Sequence, residues 1–208
     1  MAIKAILFDT EMVRAILEGR KSCTRRIVKP QQLIGMLPDK CKNGAPEKFL
    51  KEKKLMFKPY CDMTDIELIN TAYKAPYQPG DIFYVRETWK KAPNGYYYYE
   101  DWQRNDIADV TKWKPSIRMP KEAARIWLKV TDVRVERLQE ISAESALAEG
   151  ADKYIHTNGG LDENMTITSF IGIWNSTIKK SDIDRYGWDA NPYVWIIEFE
   201  RCEKPEGV

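Results

Sequence analysis

The chain has 208 residues, 43% of them apolar and 31% charged, which describes a globular domain with enough apolar mass for a core rather than a disordered chain. Its 33 basic and 31 acidic residues leave a net charge of +2, which argues against a general coat for duplex DNA and leaves small ligands or short RNA open. The four cysteines (Cys23, Cys41, Cys61 and Cys202) form no C-x-x-C pair, and the one histidine, His156, lies in a loop-like YIHTNGG stretch. Zinc ribbons, redox dithiols, Ser-His-Asp triads and multi-histidine metal sites are therefore disfavoured.

In chain order, residues 5–8 (AILF) read as a short strand. Asp9 or Thr10 then offers an N-cap, Met12, Val13, Ile16 and Leu17 form a helical stripe, and Gly19 is placed to end it. A basic segment, residues 20–29, follows and Pro30 closes it. Residues 31–76 read as an irregular insertion with only short candidate helices, such as one at 46–54. Gln78-Pro-Gly-Asp81 is a turn signal that runs into the strand Ile82–Arg86. Residues 95–99 (GYYYY) predict another strand, whose alternation sends two of the tyrosines to the core and two to the surface. A polar loop is expected over 101–114, inside a second insertion at about 90–118.

Residues 124–138 predict a long strand or bent strand pair, with a bulge where the alternation slips at Thr131-Asp132. Ser142 caps a short helix over 143–149 that Gly150 ends, and residues 165–178 form an amphipathic helix with Phe170, Ile173 and Trp174 on one face. Residues 193–199 (YVWIIEF) predict a final strand buried on both faces. No signal peptide and no apolar run near the ~20 residues of a membrane span is seen, so a cytoplasmic protein with reduced thiols is expected. The order of elements predicts one α+β domain spanning 1–208, a small mixed β-barrel with peripheral helices and the two insertions.

Several blocks carry a resemblance. Ile16-Leu-Glu-Gly-Arg-Lys21-Ser-Cys-Thr24-Arg-Arg26 resembles the opening signature of the ASCH family, where a helix ends in Gly and a Lys-x-x-Thr-x-Arg string enters a barrel. Gln78-Pro-Gly-Asp81, the 138–150 stretch ending Ala148-Glu-Gly150, and the closing Glu198-Phe-Glu200 follow in the family's order. Tyr84-Val-Arg-Glu-Thr-Trp89, Arg118-Met-Pro120 and Gly187-Trp-Asp-Ala-Asn191 are similar to blocks of the longer phage and prophage members. The resemblance implies a PUA-like fold with a cleft for a nucleoside or short RNA. Through the family's amidohydrolase branch it implies hydrolysis of N4-acetylcytidine-like substrates by a Lys, a Thr and a Glu, which match Lys21, Thr24 and Glu149. Ribonuclease activity is a lesser expectation from the same resemblance.

The chemistry can be weighed on its own terms. Thr24 can supply a nucleophilic hydroxyl, Lys21 a base if its pKa falls, and Glu149 an acid for the leaving amine. Arg20, Arg25 and Arg26 add positive charge around Lys21. Lys21 and Thr24, three residues apart, converge only if residues 20–23 turn, whereas Thr24 and Arg26 share a strand face. Arg25, Arg26, Arg86, Glu87, Trp89 and Arg118 are the candidate ligand contacts. For Arg86 and Glu87 the competing use is a structural ion pair, and for Trp89 and Arg118 it is packing. No cofactor and no metal is required. A non-catalytic RNA- or nucleotide-binding module and a phage accessory or structural protein remain alternatives, and the oligomeric state is left open.

Overall fold

The computed structural model describes residues 1–29, 65–73, 75–103 and 112–207. In chain order the elements are β1 (Ile3–Leu7), α1 (Thr10–Leu17), β2 (Cys23–Ile27), α2 (Asp65–Ala72), β3 (Ile82–Arg86), β4 (Trp89–Ala92) and β5 (Gly95–Tyr98). They continue with α3 (Tyr99–Gln103), β6 (Trp127–Arg137), α4 (Ala143–Ala148), α5 (Glu163–Thr177), α6 (Ile183–Tyr186) and β7 (Tyr193–Cys202). The candidate helix at 46–54 and most of the first insertion lie outside the described residues.

Five strands form one mixed sheet in the order β1-β3-β6-β7-β2, and β4 and β5 form a separate hairpin. Only β1 and β3 run parallel; the other pairs are antiparallel. Asp81 ties the start of this arrangement together. Its carboxylate accepts from the Ala2 N–H at 2.9 Å, the Lys4 ammonium at 2.6 Å and the Gln78 N–H at 3.1 Å. Burial alone would raise the Asp81 pKa, but these donors outweigh it and hold the carboxyl below its usual range.

The expected α+β class is what is found, but the barrel is not. Among the described residues β1 and β2 are the two edges of the sheet, and no ladder joins them. Closure needs backbone pairing all round with a matching strand stagger. Here the link between the edges is a side chain, with the Arg26 Nη2 donating to the Leu7 carbonyl at 3.3 Å. Between them sits Phe8, buried and 6.2 Å centroid to centroid from Phe199.

The long central strands explain why both faces are covered. On β7, Tyr193, Trp195, Ile197 and Phe199 join the core that includes Phe8, Val13, Ile16 and Phe83, whereas Val194 and Ile196 pack under Phe170 and Trp174 of α5. That alternation is the period of a strand, and it defines a core face and a helix-bearing face. The expected slip in β6 is present as a register shift between Val130 and Asp132. A third cluster, around Ile82, Trp89, Met119 and Trp127, seats the β4–β5 hairpin.

Candidate functional site

The α1–β2 turn positions the first residue of the site. α1 is capped by Asp9, whose carboxylate accepts from the Met12 N–H at 2.8 Å, and its apolar stripe buries Val13 and Ile16. Gly19 then takes φ +75°, a conformation that suits glycine, and lets the N–H groups of Arg20 and Lys21 both reach the Ala15 carbonyl at 2.8 and 3.0 Å. Ser22 pins the turn from both sides, donating to the Ala148 carbonyl at 2.9 Å and accepting from the Phe199 N–H at 2.8 Å.

That turn drives Lys21 inward, where its side chain is fully buried. The Lys21 Nζ donates to the Glu149 Oε2 at 2.8 Å, the Glu149 carbonyl at 2.7 Å and the Cys23 carbonyl at 2.8 Å. Three acceptors match the three N–H bonds of an ammonium. Glu149 comes from the C-terminal end of α4, and its other oxygen, Oε1, accepts from the Arg25 Nη1 at 3.2 Å. The next residue, Gly150, has φ +94°, and a Cβ there would lie 3.1 Å from the Ala15 Cβ and 3.7 Å from the Lys21 Cβ. The close approach of α4 to α1 and Lys21 thus depends on a missing side chain.

Two cations share one carboxylate in this cluster, leaving a surplus positive charge out of water. The Arg25 side chain is 1% exposed and its guanidinium lies 5.7 Å from the Phe170 ring centroid. Its Nε and Nη2 have no hydrogen-bond partner among the described residues. Cys23 lies beside the cluster, and burial, reinforced by the charge of Glu149, pushes its thiol up to about 12. It stays protonated at neutral pH and is not a nucleophile.

Thr24 and Arg26 occupy the other face of β2. Their ladder partners are Ile197 and Trp195, both core-face residues, whereas Arg25 pairs with Ile196 on the helix-bearing face. Thr24 is buried and makes no side-chain hydrogen bond among the described residues. The expected turn at 20–23 therefore forms, yet it brings Lys21 to Glu149 and Arg25 rather than bonding it to Thr24. Phe8 links the two faces, with the Lys21 Nζ 5.4 Å and the Arg26 guanidinium 5.7 Å from its ring centroid.

On the core face a cavity of about 550 Å³ opens against Trp195, the cross-strand neighbour of Arg26. Its other walls are Asn70 and Tyr73 from α2 and the following turn, Gln78 and Pro79 before β3, Ala75, and Val133 of β6. Burial raises the Tyr73 phenol above its ordinary pKa, so the wall presents neutral polar groups beside one aromatic indole.

The remaining candidates separate from this site. Glu87, just past the end of β3, does not pair with Arg86. It takes a two-point fork from Arg125, Nε to Oε1 and Nη2 to Oε2, both 2.9 Å. The Arg125 Nη1 meets both Asp101 oxygens at 2.8 and 2.7 Å, and the guanidinium stacks 4.1 Å from the Tyr98 ring centroid. Burial pushes the Glu87 carboxyl up even with Arg125 against it. For Arg125 burial works downward, and its two carboxylates more than reverse it. Arg86 donates to the Ile117 carbonyl at 3.3 Å and the Tyr84 hydroxyl at 3.1 Å. Trp89 is a core residue, 4% exposed, rather than an open stacking surface. Arg118 is exposed.

Sequence reasoning passed over Arg125 and the cavity residues Trp195, Tyr73, Asn70 and Gln78. Nothing local marks them. Arg125 sits at the start of a strand-like run, and the cavity is assembled from four separate segments. Among the described residues no helix is long and apolar enough to cross a membrane. No family model, no curated protein and no solved structure matches the chain.

Proposed function

We propose that the chain recognises a nucleoside or a short RNA segment, with the base in the Trp195 cavity and a phosphate at Arg26. The observation that carries the reading is the cavity itself. At about 550 Å³ it has the size of a small-ligand site, with an indole for a base to lie against, Asn70 and Gln78 amides that match the donor–acceptor edge of a base, and a guanidinium on the adjacent strand. The resemblance of the Lys-x-x-Thr-x-Arg string to the ASCH family points to the same ligand class.

Calorimetric titration with cytidine, cytidine monophosphate and a four-nucleotide RNA tests it. Gln78→Ala is expected to weaken all three, and Arg26→Ala to weaken the two phosphate-bearing ligands more than cytidine. Folded wild-type protein that binds none of them at millimolar concentration sinks the reading.

One observation favours a catalytic version: Lys21 and Glu149, far apart in the chain, meet at 2.8 Å in a buried site. In that version Glu149 and Lys21 handle protons for hydrolysis of an N4-acylated cytosine, and ligand entry must first free the ammonium from its three acceptors. Turnover of N4-acetylcytidine, abolished in Lys21→Ala, supports it. Absence of turnover by protein that still binds cytidine removes hydrolysis and leaves recognition standing.

A further inference from the structure

The β4–β5 hairpin carries a surface that the cavity does not use. Its residues divide by strand alternation. Trp89, Tyr96 and Tyr98 face the cluster around Trp127, while Lys90 and its cross-strand partner Tyr97 face the other way. Trp89 also bridges to Lys114 as an antiparallel pair, which puts Trp113 on the same side as Lys90 and Tyr97.

On that side four rings form a connected chain. Tyr97 meets Trp102 at 6.0 Å, Trp102 meets Trp113 at 6.0 Å, and Trp113 meets Tyr99 at 5.4 Å, all edge to face. None of the four belongs to a core cluster and all are partly exposed.

Lysines lie beside these rings. Lys90 shares the Tyr97 side of the hairpin and Lys112 adjoins Trp113 in the chain; the first is partly and the second fully exposed, and neither forms an ion pair among the described residues. The two acidic residues of α3 pair elsewhere, Asp101 with Arg125 and Glu100 with Arg14 at 2.9 Å. Rings that offer faces to bases, beside lysines that offer charge to phosphates, are the elements of single-strand binding without sequence readout.

We propose that the Tyr97–Trp102–Trp113–Tyr99 surface with Lys90 and Lys112 is a platform for single-stranded nucleic acid. It rests on the reading above only for the class of ligand; the residues are different.

Fluorescence anisotropy of a labelled ten-nucleotide uridine oligomer with the full chain tests it. Trp102→Ala should weaken binding at least about fivefold, the loss of one stacked base. Lys90→Glu with Lys112→Glu, both away from the core, should weaken binding and flatten its salt dependence. Cytidine titration of the same variants should be unchanged, which separates this platform from the cavity. The platform is overturned by wild-type protein that binds cytidine but not the oligomer, or by oligomer binding equal in wild type and both variants. It is also overturned by a polyglutamate peptide that binds more tightly than the oligomer through the same lysines. A deoxythymidine oligomer bound as well as the uridine one supports a platform that reads rings and phosphates alone, and a preference for uridine supports RNA.

Discussion

Two ion clusters of this fold are built in opposite proportions. Around Glu149, Lys21 and Arg25 share one carboxylate, and only one nitrogen of the Arg25 guanidinium is hydrogen-bonded to it. Around Arg125, one guanidinium serves Glu87 and Asp101, and all three of its nitrogens are engaged at 2.7–2.9 Å. The second cluster is finished: every donor has an acceptor, and the pair fastens the start of β6 to the end of β3 and to α3. The first keeps a surplus positive charge and two idle donors in a place where desolvation makes both expensive.

That contrast can be broken from either side. The largest effect is expected from Glu149→Gln, which leaves two buried cations without a counter-charge. Removing one partner of a buried pair costs about 3–5 kcal/mol, read as a fall in the urea midpoint. Gly150→Ala should cost about 1–3 kcal/mol through its positive φ and the contact with Ala15. Because Gly150 sets the approach of α4, the same variant should also loosen Lys21, seen as faster exchange of its backbone amide. Arg125→Lys keeps the charge and loses the two-point fork, and about 1–2 kcal/mol is expected. A loss as large as that of Glu149→Gln would erase the distinction drawn between the clusters.

The smallest effect is a pH dependence at Glu87. Burial raises its carboxyl, so the folded chain holds that proton more tightly than the unfolded one. Its contribution to stability is then full below the ordinary glutamate pKa of about 4.3 and is lost as pH rises through the raised value. Melting temperatures of wild type and Glu87→Gln, compared from pH 4 to 7, should shift steadily in favour of the variant. A gap that moves the other way would mean that Arg125 outweighs burial.

Local signals carried far in this chain. Asp9, the Val13–Ile16 stripe and Gly19 delimit α1 as expected, Gln78-Pro-Gly-Asp81 introduces β3, and the slip at Thr131-Asp132 is a true register shift. Each of these rests on chemistry within a few residues. What depends on distant partners was harder to read. The parallel pairing of β1 with β3 leaves β1 an edge, and no pattern in residues 5–8 distinguishes that from barrel closure. The hairpin strand β4 was missed because Trp89-Lys-Lys-Ala92 has no clean alternation of apolar residues. At the site, the Lys21–Glu149 contact joins two residues picked out by motif resemblance. Arg25's place in the same cluster follows only once β2 is paired with β7.

The position of β7 has a consequence for how the molecule assembles. This strand lies between β6 and β2 and supplies buried residues to both faces, yet it is made after every other strand described here. Among the described residues β2 has no other ladder partner, with Cys23 opposite Glu198 and Ile27 opposite Val194. A ribosome-bound chain stopped before residue 193 therefore has β1, β3 and β6 able to pair while β2 hangs loose. Loop closure over so long a separation is slow, so organisation of the Lys21 turn is expected to be among the last events of folding. Compounds that trap the nearly complete chain would find that region still open.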